Sequence, residues 1–274
     1  MSSTRAFVPG HVSGFLVPHH DDDPTAAGSQ GAGVTLTDGV AVAVSPADET
    51  TVVIDGEDVE MAAVERTLSA LSVRGRVEVE TDLPVGAGFG VSGAAALGAA
   101  LAANAAVGLD LSRNELATVA HGAEVQAGTG LGDVAAMVAG GIPIRLEPGG
   151  PNENLIDAVP ARCRVEYRSF GGRDTEAVLA GDTGAIERAG ERALSIVVSE
   201  PTVDGLMRAS RQFSREADLL TDRVRTAIRE VGEVDGTAAM AMFGETVFAL
   251  GTGLTDAGYE ATVCEPSPGG ASLK

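Results

Sequence analysis

Three stretches of the chain carry residue types that could do chemistry. The first, Leu83-Pro-Val-Gly-Ala-Gly-Phe-Gly-Val-Ser-Gly93, follows an alternating strand pattern and precedes a long Ala-rich run. A glycine loop that enters a helix can turn backbone N–H groups onto a phosphate, and the helix N-terminus adds favourable partial charge. It is not the G-x-x-x-x-G-K-[ST] loop, and the only Lys in the chain is Lys274. Gly88-x-Gly90-x-x-Gly93 satisfies G-x-G-x-x-G, but a dinucleotide site needs a strand and an acidic residue about 20 positions further on. Here a second helix follows instead. The plain alternative is a tight strand-to-helix turn, glycine-rich for steric reasons. The second stretch sets His121 and Glu124 three residues apart, on one face of a helix. Asp133 follows Glu124 by nine residues, across the turn Gly128-Thr-Gly-Leu-Gly132. Taken singly these are two of 39 acids. The third, His19-His20-Asp21-Asp22-Asp23, has metal-binding residue types, but neighbours in an extended loop cannot all converge on one ion, so it reads as a solvated loop.

The elements that must position these groups follow from periodicity. Arg5–Val12 reads as a short strand entering a turn, and Gly28–Gly33 as a second turn. Val34–Val44, Thr51–Ile54 and Arg76–Thr81 read as strands, and Val59–Leu71 as a helix. The Ala-rich run after Gly93 is a buried helix, too short and weakly apolar to span a bilayer. Ser112 and Glu115 form a capping box for the next helix, which stops near Gly128. Ile142–Leu146 is a strand, and Pro148-Gly-Gly-Pro151 marks the best boundary, dividing the chain into 1–150 and 151–274. Beyond it come strand Cys163–Phe170, helices over Thr175–Leu179 and Ala185–Val197, and one long amphipathic helix carrying Leu206, Phe213, Leu220, Val224 and Ile228. Paired strands follow at Thr237–Phe243 and Thr246–Leu250, with a last strand at Glu260–Cys264. Helices and strands mix without strict βαβ alternation, which gives an α+β class.

Composition narrows the partners. The net charge of −20 argues against nucleic acid and anionic membranes. Scattered acids with almost no Lys suit a protein at high salt, where concentrated cations screen self-repulsion. Cys163 and Cys264 form no zinc pattern or disulfide framework, and no secretory leader is visible, so a cytoplasmic location is expected.

Pro84-Val-Gly-Ala-Gly-Phe-Gly-Val-Ser-Gly-Ala94 resembles the second motif of the GHMP kinase superfamily, P-x-x-x-G-L-G-S-S-A. Pro9-Gly10-His11 and Ala238-Ala-Met-Ala-Met-Phe-Gly244 resemble its N- and C-terminal motifs, in the right order over essentially the whole chain. The resemblance implies a two-lobed fold, with an S5-like N-terminal ATP-binding domain (1–150) and a ferredoxin-like C-terminal domain (151–274). It implies ATP and Mg²⁺ as cofactors. ATP would be held by Pro84, Gly86, Gly88, Phe89, Gly90, Val91, Ser92, Gly93 and Ala94. Ser92 and Glu124 would hold Mg²⁺, and Asp133 would orient or deprotonate the acceptor hydroxyl. Many members place Lys or Arg where this chain has His11, so positive charge near the phosphate must come from Arg or from His11.

Within the superfamily, Ala6–Leu16, Gly28–Gly33, His121-x-x-Glu124 with Thr129–Asp133, and Met242–Phe248 look like archaeal-type pantoate kinases. That resemblance implies phosphorylation of (R)-pantoate to 4-phosphopantoate for coenzyme A synthesis, by a homodimer. Arg145 would clamp the pantoate carboxylate bidentately, with Ser29, His121 and Thr175 as further polar contacts and apolar walls for the gem-dimethyl group. Arg145 as an ordinary surface residue stays open, as do Ser29 as a turn residue, His121 as a satisfied helix histidine and Thr175 as a helix start. Homoserine, shikimate or mevalonate as acceptor, or a non-catalytic ATP-binding regulator, are the alternatives.

Overall fold

The computed structural model describes residues 4–172 and 183–274. The helix expected over Thr175–Leu179, with the candidate Thr175, lies outside the described residues.

Two long antiparallel strands, β1 (Arg5–His19) and β2 (Gly28–Pro46), form the spine of the chain. The expected turn at Gly28–Gly33 is instead the first part of β2. Its glycines answer crowding: a Cβ on Gly33 would lie 2.2 Å from Val12 O, and one on Gly31 would lie 2.4 Å from Phe15 O. Glycine inside a strand marks a close approach of neighbours as readily as a turn.

Further strands are β3 (Thr51–Ile54), β4 (Glu57–Val59), β5 (Gly75–Thr81), β6 (Ile142–Glu147), β7 (Leu155–Val159) and the short β12 (Ser272–Leu273). Together they make one sheet in the order β12-β1-β2-β5-β3-β4, with β6 bridging β2 to β7. Only the β3–β5 pair is parallel among the described pairings of this sheet. In β5 the alternation expected from sequence is realised, with Val77 and Val79 buried and Arg76, Glu78 and Glu80 exposed.

Helices α1 (Ala62–Ala70), α2 (Val91–Val107) and α3 (Arg113–Ala127) pack together, with α2 against β1 and β2. Small residues allow this: a Cβ on Gly98 would already lie 2.5 Å from Val42 Cγ2. The capping box is present, with Ser112 accepting from Glu115 N and Glu115 accepting from Ser112 N. Such a cap contributes about 1 kcal/mol. Gly128, at φ 70°, ends α3 and releases the chain into α4 (Asp133–Ala139).

A second sheet is fully antiparallel, β11 (Thr262–Cys264), β8 (Val165–Ser169), β10 (Thr246–Leu250) and β9 (Thr237–Ala241), in that order. It is accompanied by α5 (Gly184–Ser199), α6 (Val203–Glu216), α7 (Asp222–Glu233) and the one-turn α8 (Gly253–Asp256). The single long helix expected from Leu206 to Ile228 is two helices. The chain leaves α6 with Asp218 at φ 52°, and Thr221 Oγ1 accepts from Val224 N to start α7. The apolar face continues across the break, which is why periodicity alone could not see it.

The two sheets meet through a few specific bonds. Met242 N donates to Ser13 O at 3.0 Å, and Tyr167 Oη donates to Asp38 Oδ2 at 2.9 Å. No helix among the described residues is long and apolar enough to cross a membrane.

Candidate active site

The glycine loop at 84–93 turns from β5 into α2, with Gly90 at the helix N-cap in the left-handed region, φ 64°. It is gripped from both ends of the chain. His11 N donates to Phe89 O at 3.0 Å. Thr246 Oγ1 donates to Ala87 O at 2.7 Å. Gly244 lies so close that a Cβ there would be 2.0 Å from the same Ala87 carbonyl. The Phe89 ring is buried edge-on against Tyr167, with centroids 4.8 Å apart. Gly86, Gly88, Phe89, Gly90, Val91 and Ser92 line a cavity of about 770 Å³. Pro84 stands exposed at the mouth of the loop, Gly93 faces Glu124, and Ala94 is in the core.

The same cavity has two further sets of walls. Ile54, Val59, Met61 and Val85 give it an apolar side beyond the loop. Ser13, Leu16, Leu131, Met242 and Phe243 line it together with Asp133.

Glu124 and Asp133 converge on Gly130. A Cβ at Gly130 would lie 2.5 Å from Glu124 Oε1 and 3.1 Å from Asp133 Oδ2, and one at Gly93 would lie 2.4 Å from Glu124 Oε1. The glycines therefore leave room that the two carboxylates look into. Glu124 is fully buried, and neither of its oxygens has a partner at ordinary hydrogen-bond geometry, although the Val134 N–H is near enough to favour its charge. Burial first, and Asp133 second, push its pKa well above the usual carboxylate range, and the Val134 N–H and Arg145 offset this only in part. Ser92 Oγ donates to Thr129 Oγ1 at 3.1 Å, beside Gly93 and Gly130. Among the described residues no cluster of three or more His, Cys, Asp or Glu is poised around one point. A cation here would be completed by phosphate oxygens and water, as Mg²⁺ prefers.

Asp133 starts α4 and receives His11 Nδ1 at 2.6 Å. Burial works against its charge, but the hydrogen bond from His11 and then the electrostatic influence of its surroundings, the Arg145 guanidinium included, outweigh it, so its pKa lies below the ordinary value. One carboxylate of the pair is thus biased to hold a proton and the other to be ionised.

Arg145, on β6, is not a surface residue: its exposure is 2%. Its Nε donates to Ser29 O at 3.3 Å and its Nη2 to Ser29 Oγ at 3.4 Å, while Nη1 has no partner. Both groups lie behind Gly132, where a Cβ would be 2.7 Å from Arg145 Nε and 2.8 Å from Ser29 Oγ. Burial holds its pKa below the ordinary value, although Asp133 and then Glu124 favour its charge. His121 is buried on the Glu124 face of α3, and its Nε2 donates to Ala27 O at 2.8 Å, in the tautomer that this acceptor requires. It holds the segment leading into Ser29.

The structure thus gathers Ser92, Glu124, Asp133, Arg145, Ser29 and His121 around the turn 128–132. Thr129 was not singled out from sequence; its place between two glycines beside a candidate metal hydroxyl is the signal that could have found it. The 19–23 loop is solvent-exposed, and Asp23 spends its carboxylate on Thr25 N and Oγ1.

The family described as GHMP kinases N terminal domain matches residues 59–141, from the end of β4 through the glycine loop and Asp133. The chain is 37% identical to the pantoate kinase of Thermococcus kodakarensis, over 90% of this chain and 87% of that one. It is 33% identical to the pantoate kinase of Methanospirillum hungatei, over 92% and 88%. A solved structure described as a phosphotransferase related to the CoA biosynthesis pathway aligns with a TM-score of 0.87 at 30% identity, covering 100% of this chain and 99% of that one. The chain belongs to the GHMP kinase family and groups there with the pantoate kinases.

Proposed function

We propose that this chain transfers the γ-phosphoryl group of ATP to the 4-hydroxyl of (R)-pantoate, giving 4-phosphopantoate for coenzyme A synthesis. The observation that carries the acceptor is Arg145, a buried guanidinium with an open Nη1, no carboxylate partner and a place beside Asp133. Asp133 and Glu124 favour its charge from nearby but no carboxylate bonds it directly, and the carboxylate of a small hydroxy acid would complete it. Arg145 lies behind Gly132, next to Leu131 of the cavity wall, so the acceptor carboxylate would approach it at this turn. Ser29 shares the carboxylate, His121 holds the strand that carries Ser29, and Leu16, Leu131 and Met242 face the gem-dimethyl group. The N–H groups at the start of α2 receive the phosphates, and Ile54, Val59 and Met61 receive the base. Asp133 orients the hydroxyl and takes its proton. Ser92 and Glu124 would hold Mg²⁺, whose role when bound is to neutralise charge on the phosphate oxygens. The unpartnered Glu124 carboxylate in its glycine cradle fits such a hard cation. In this reading the ATP-binding domain, 1–150, is completed by β7 and β12, which pair with its strands, and the rest of 151–274 forms a second domain that contributes Met242 and Phe243 to the cavity wall.

The reading is tested by ADP release from purified protein in high KCl with Mg²⁺ and ATP, offering (R)-pantoate, pantothenate, homoserine, shikimate and mevalonate in parallel. Clear preference for pantoate supports it. Preference for another alcohol removes the acceptor and keeps the phosphoryl chemistry. ATP binding without turnover of any acceptor favours a regulator.

Two expected results arise here. Thr246→Val keeps shape but leaves the Ala87 carbonyl unpartnered, so the ATP KM should rise about three- to tenfold with kcat nearly unchanged. An unaltered ATP KM would remove Thr246 as an anchor of the loop. The acid excess implies a higher melting temperature in molar KCl than in dilute buffer; equal melting in both refutes the high-salt adaptation.

A further inference from the structure

We infer that His11 is a positioning residue for phosphoryl transfer: it donates Nδ1–H to Asp133 Oδ1 and so presents Oδ2 to the acceptor hydroxyl. The inference rests on the proposed role of Asp133 but not on the identity of the acceptor.

His11 is fully buried and does not line the cavity, so it acts only through what it touches. Two of its bonds reach the site. Its ring meets Asp133 at 2.6 Å, and its backbone N–H holds Phe89 O at 3.0 Å. One residue thereby fixes the distance between the glycine loop and the carboxylate that faces the incoming hydroxyl. Reacting atoms held in line are a large part of catalysis in this chemistry.

The geometry also sets the ring's proton. A carboxylate at Nδ1 requires that nitrogen to carry hydrogen. Nε2 is buried with no partner, and a Cβ on Gly33 would lie only 2.5 Å from it. A second proton would create a buried N–H with no acceptor. Two charged groups act on the ring: Asp133 from α4 and Arg145 from β6. Burial and Arg145 disfavour a positive ring, in opposition to Asp133, and the net pKa lies below the ordinary value. A neutral donor leaves Asp133 its full negative charge, which a Lys or Arg in this place would neutralise.

The balanced step follows. The acceptor oxygen bonds the γ-phosphorus, and the bond from that phosphorus to the β,γ-bridging oxygen breaks, its electron pair leaving with ADP. The hydroxyl proton passes to Asp133 Oδ2. His11 keeps its own proton throughout. The Asp133 side chain is 21% exposed, so it can return the proton to water.

Two variants and one spectrum test this. His11→Asn keeps an N–H at the Nδ1 position, and His11→Leu keeps bulk without a donor. We expect His11→Asn to retain kcat within about tenfold of the parent, and His11→Leu to lose about 100-fold or more in kcat, with both KM values within about threefold. A residue needed only for folding would move melting temperature and all constants together and would not be rescued by Asn. Wild-type kcat in His11→Leu overturns the proposal. So does a folded, ATP-binding His11→Asn as slow as His11→Leu, since the ring would then be needed for more than one donor. Should His11→Leu fail to fold, the unaltered protein still decides. With ¹⁵N-labelled histidine, the signals absent from His11→Asn should report a protonated Nδ1 and a bare Nε2. The opposite tautomer, or two protonated nitrogens, overturns it.

Discussion

Asp133→Asn should lower kcat for pantoate phosphorylation by about 10³-fold or more while leaving the ATP dissociation constant within about threefold. The amide matches the carboxylate in shape and can still face His11, so α4 and the glycine turn stay in place. What is lost is a proton acceptor ionised at neutral pH, the state favoured by the His11 hydrogen bond and the nearby positive charge of Arg145. Asp133 is on the cavity wall next to the loop, since a Cβ at Gly90 would lie 3.1 Å from its Cγ. Glu124, across Gly130, is assigned to Mg²⁺ in this reading and so is not free to take over. Single-turnover phosphorylation, with ATP affinity measured separately, checks both halves. Turnover within tenfold of the parent would remove Asp133 from the chemistry.

Arg145→Met should raise the pantoate KM by about 10²- to 10³-fold and leave the ATP KM nearly unchanged, the loss expected when one partner of a buried, hydrogen-bonded charge pair is removed. Methionine keeps much of the bulk on β6 without a donor. Loss of the cation also brings Glu124 and Asp133 closer to direct repulsion, so a modest fall in kcat should accompany the change. Arg145→Lys is the sharper comparison, because a point charge cannot reproduce the planar fork. Equal pantoate KM in the parent and both variants would mean that another group holds the carboxylate.

The architecture of the site was legible where local patterns are self-sufficient. The alternation of β5, the capping box at Ser112 and the glycine loop before an Ala-rich helix each declare themselves within a dozen residues. Legibility failed where the deciding partner is far away in sequence. Gly31 and Gly33 looked like turn residues because Phe15, Val12 and Arg145, which crowd them, come from other strands. β7 is mostly exposed and carries little periodic signal; its place depends on pairing with β6. Arg145 could be named as a clamp or a surface residue, and its burial against Ser29 removes the second of these readings. His11 was visible as a departure from the superfamily pattern, yet its contact with Asp133 spans 122 positions, beyond any motif.

The anchor of the glycine loop on Thr246 has a consequence during synthesis. Ala87 and Thr246 are 159 positions apart, so a nascent chain can assemble the β1–β2–β5 sheet and α2 well before the outer support of its phosphate site leaves the ribosome. A prematurely released polypeptide ending before β9 has the loop sequence but neither Gly244 nor Thr246 to seat it. Abortive products of this chain should therefore neither drain ATP nor sequester the acceptor, and nucleotide retention becomes a usable reporter of completed folding.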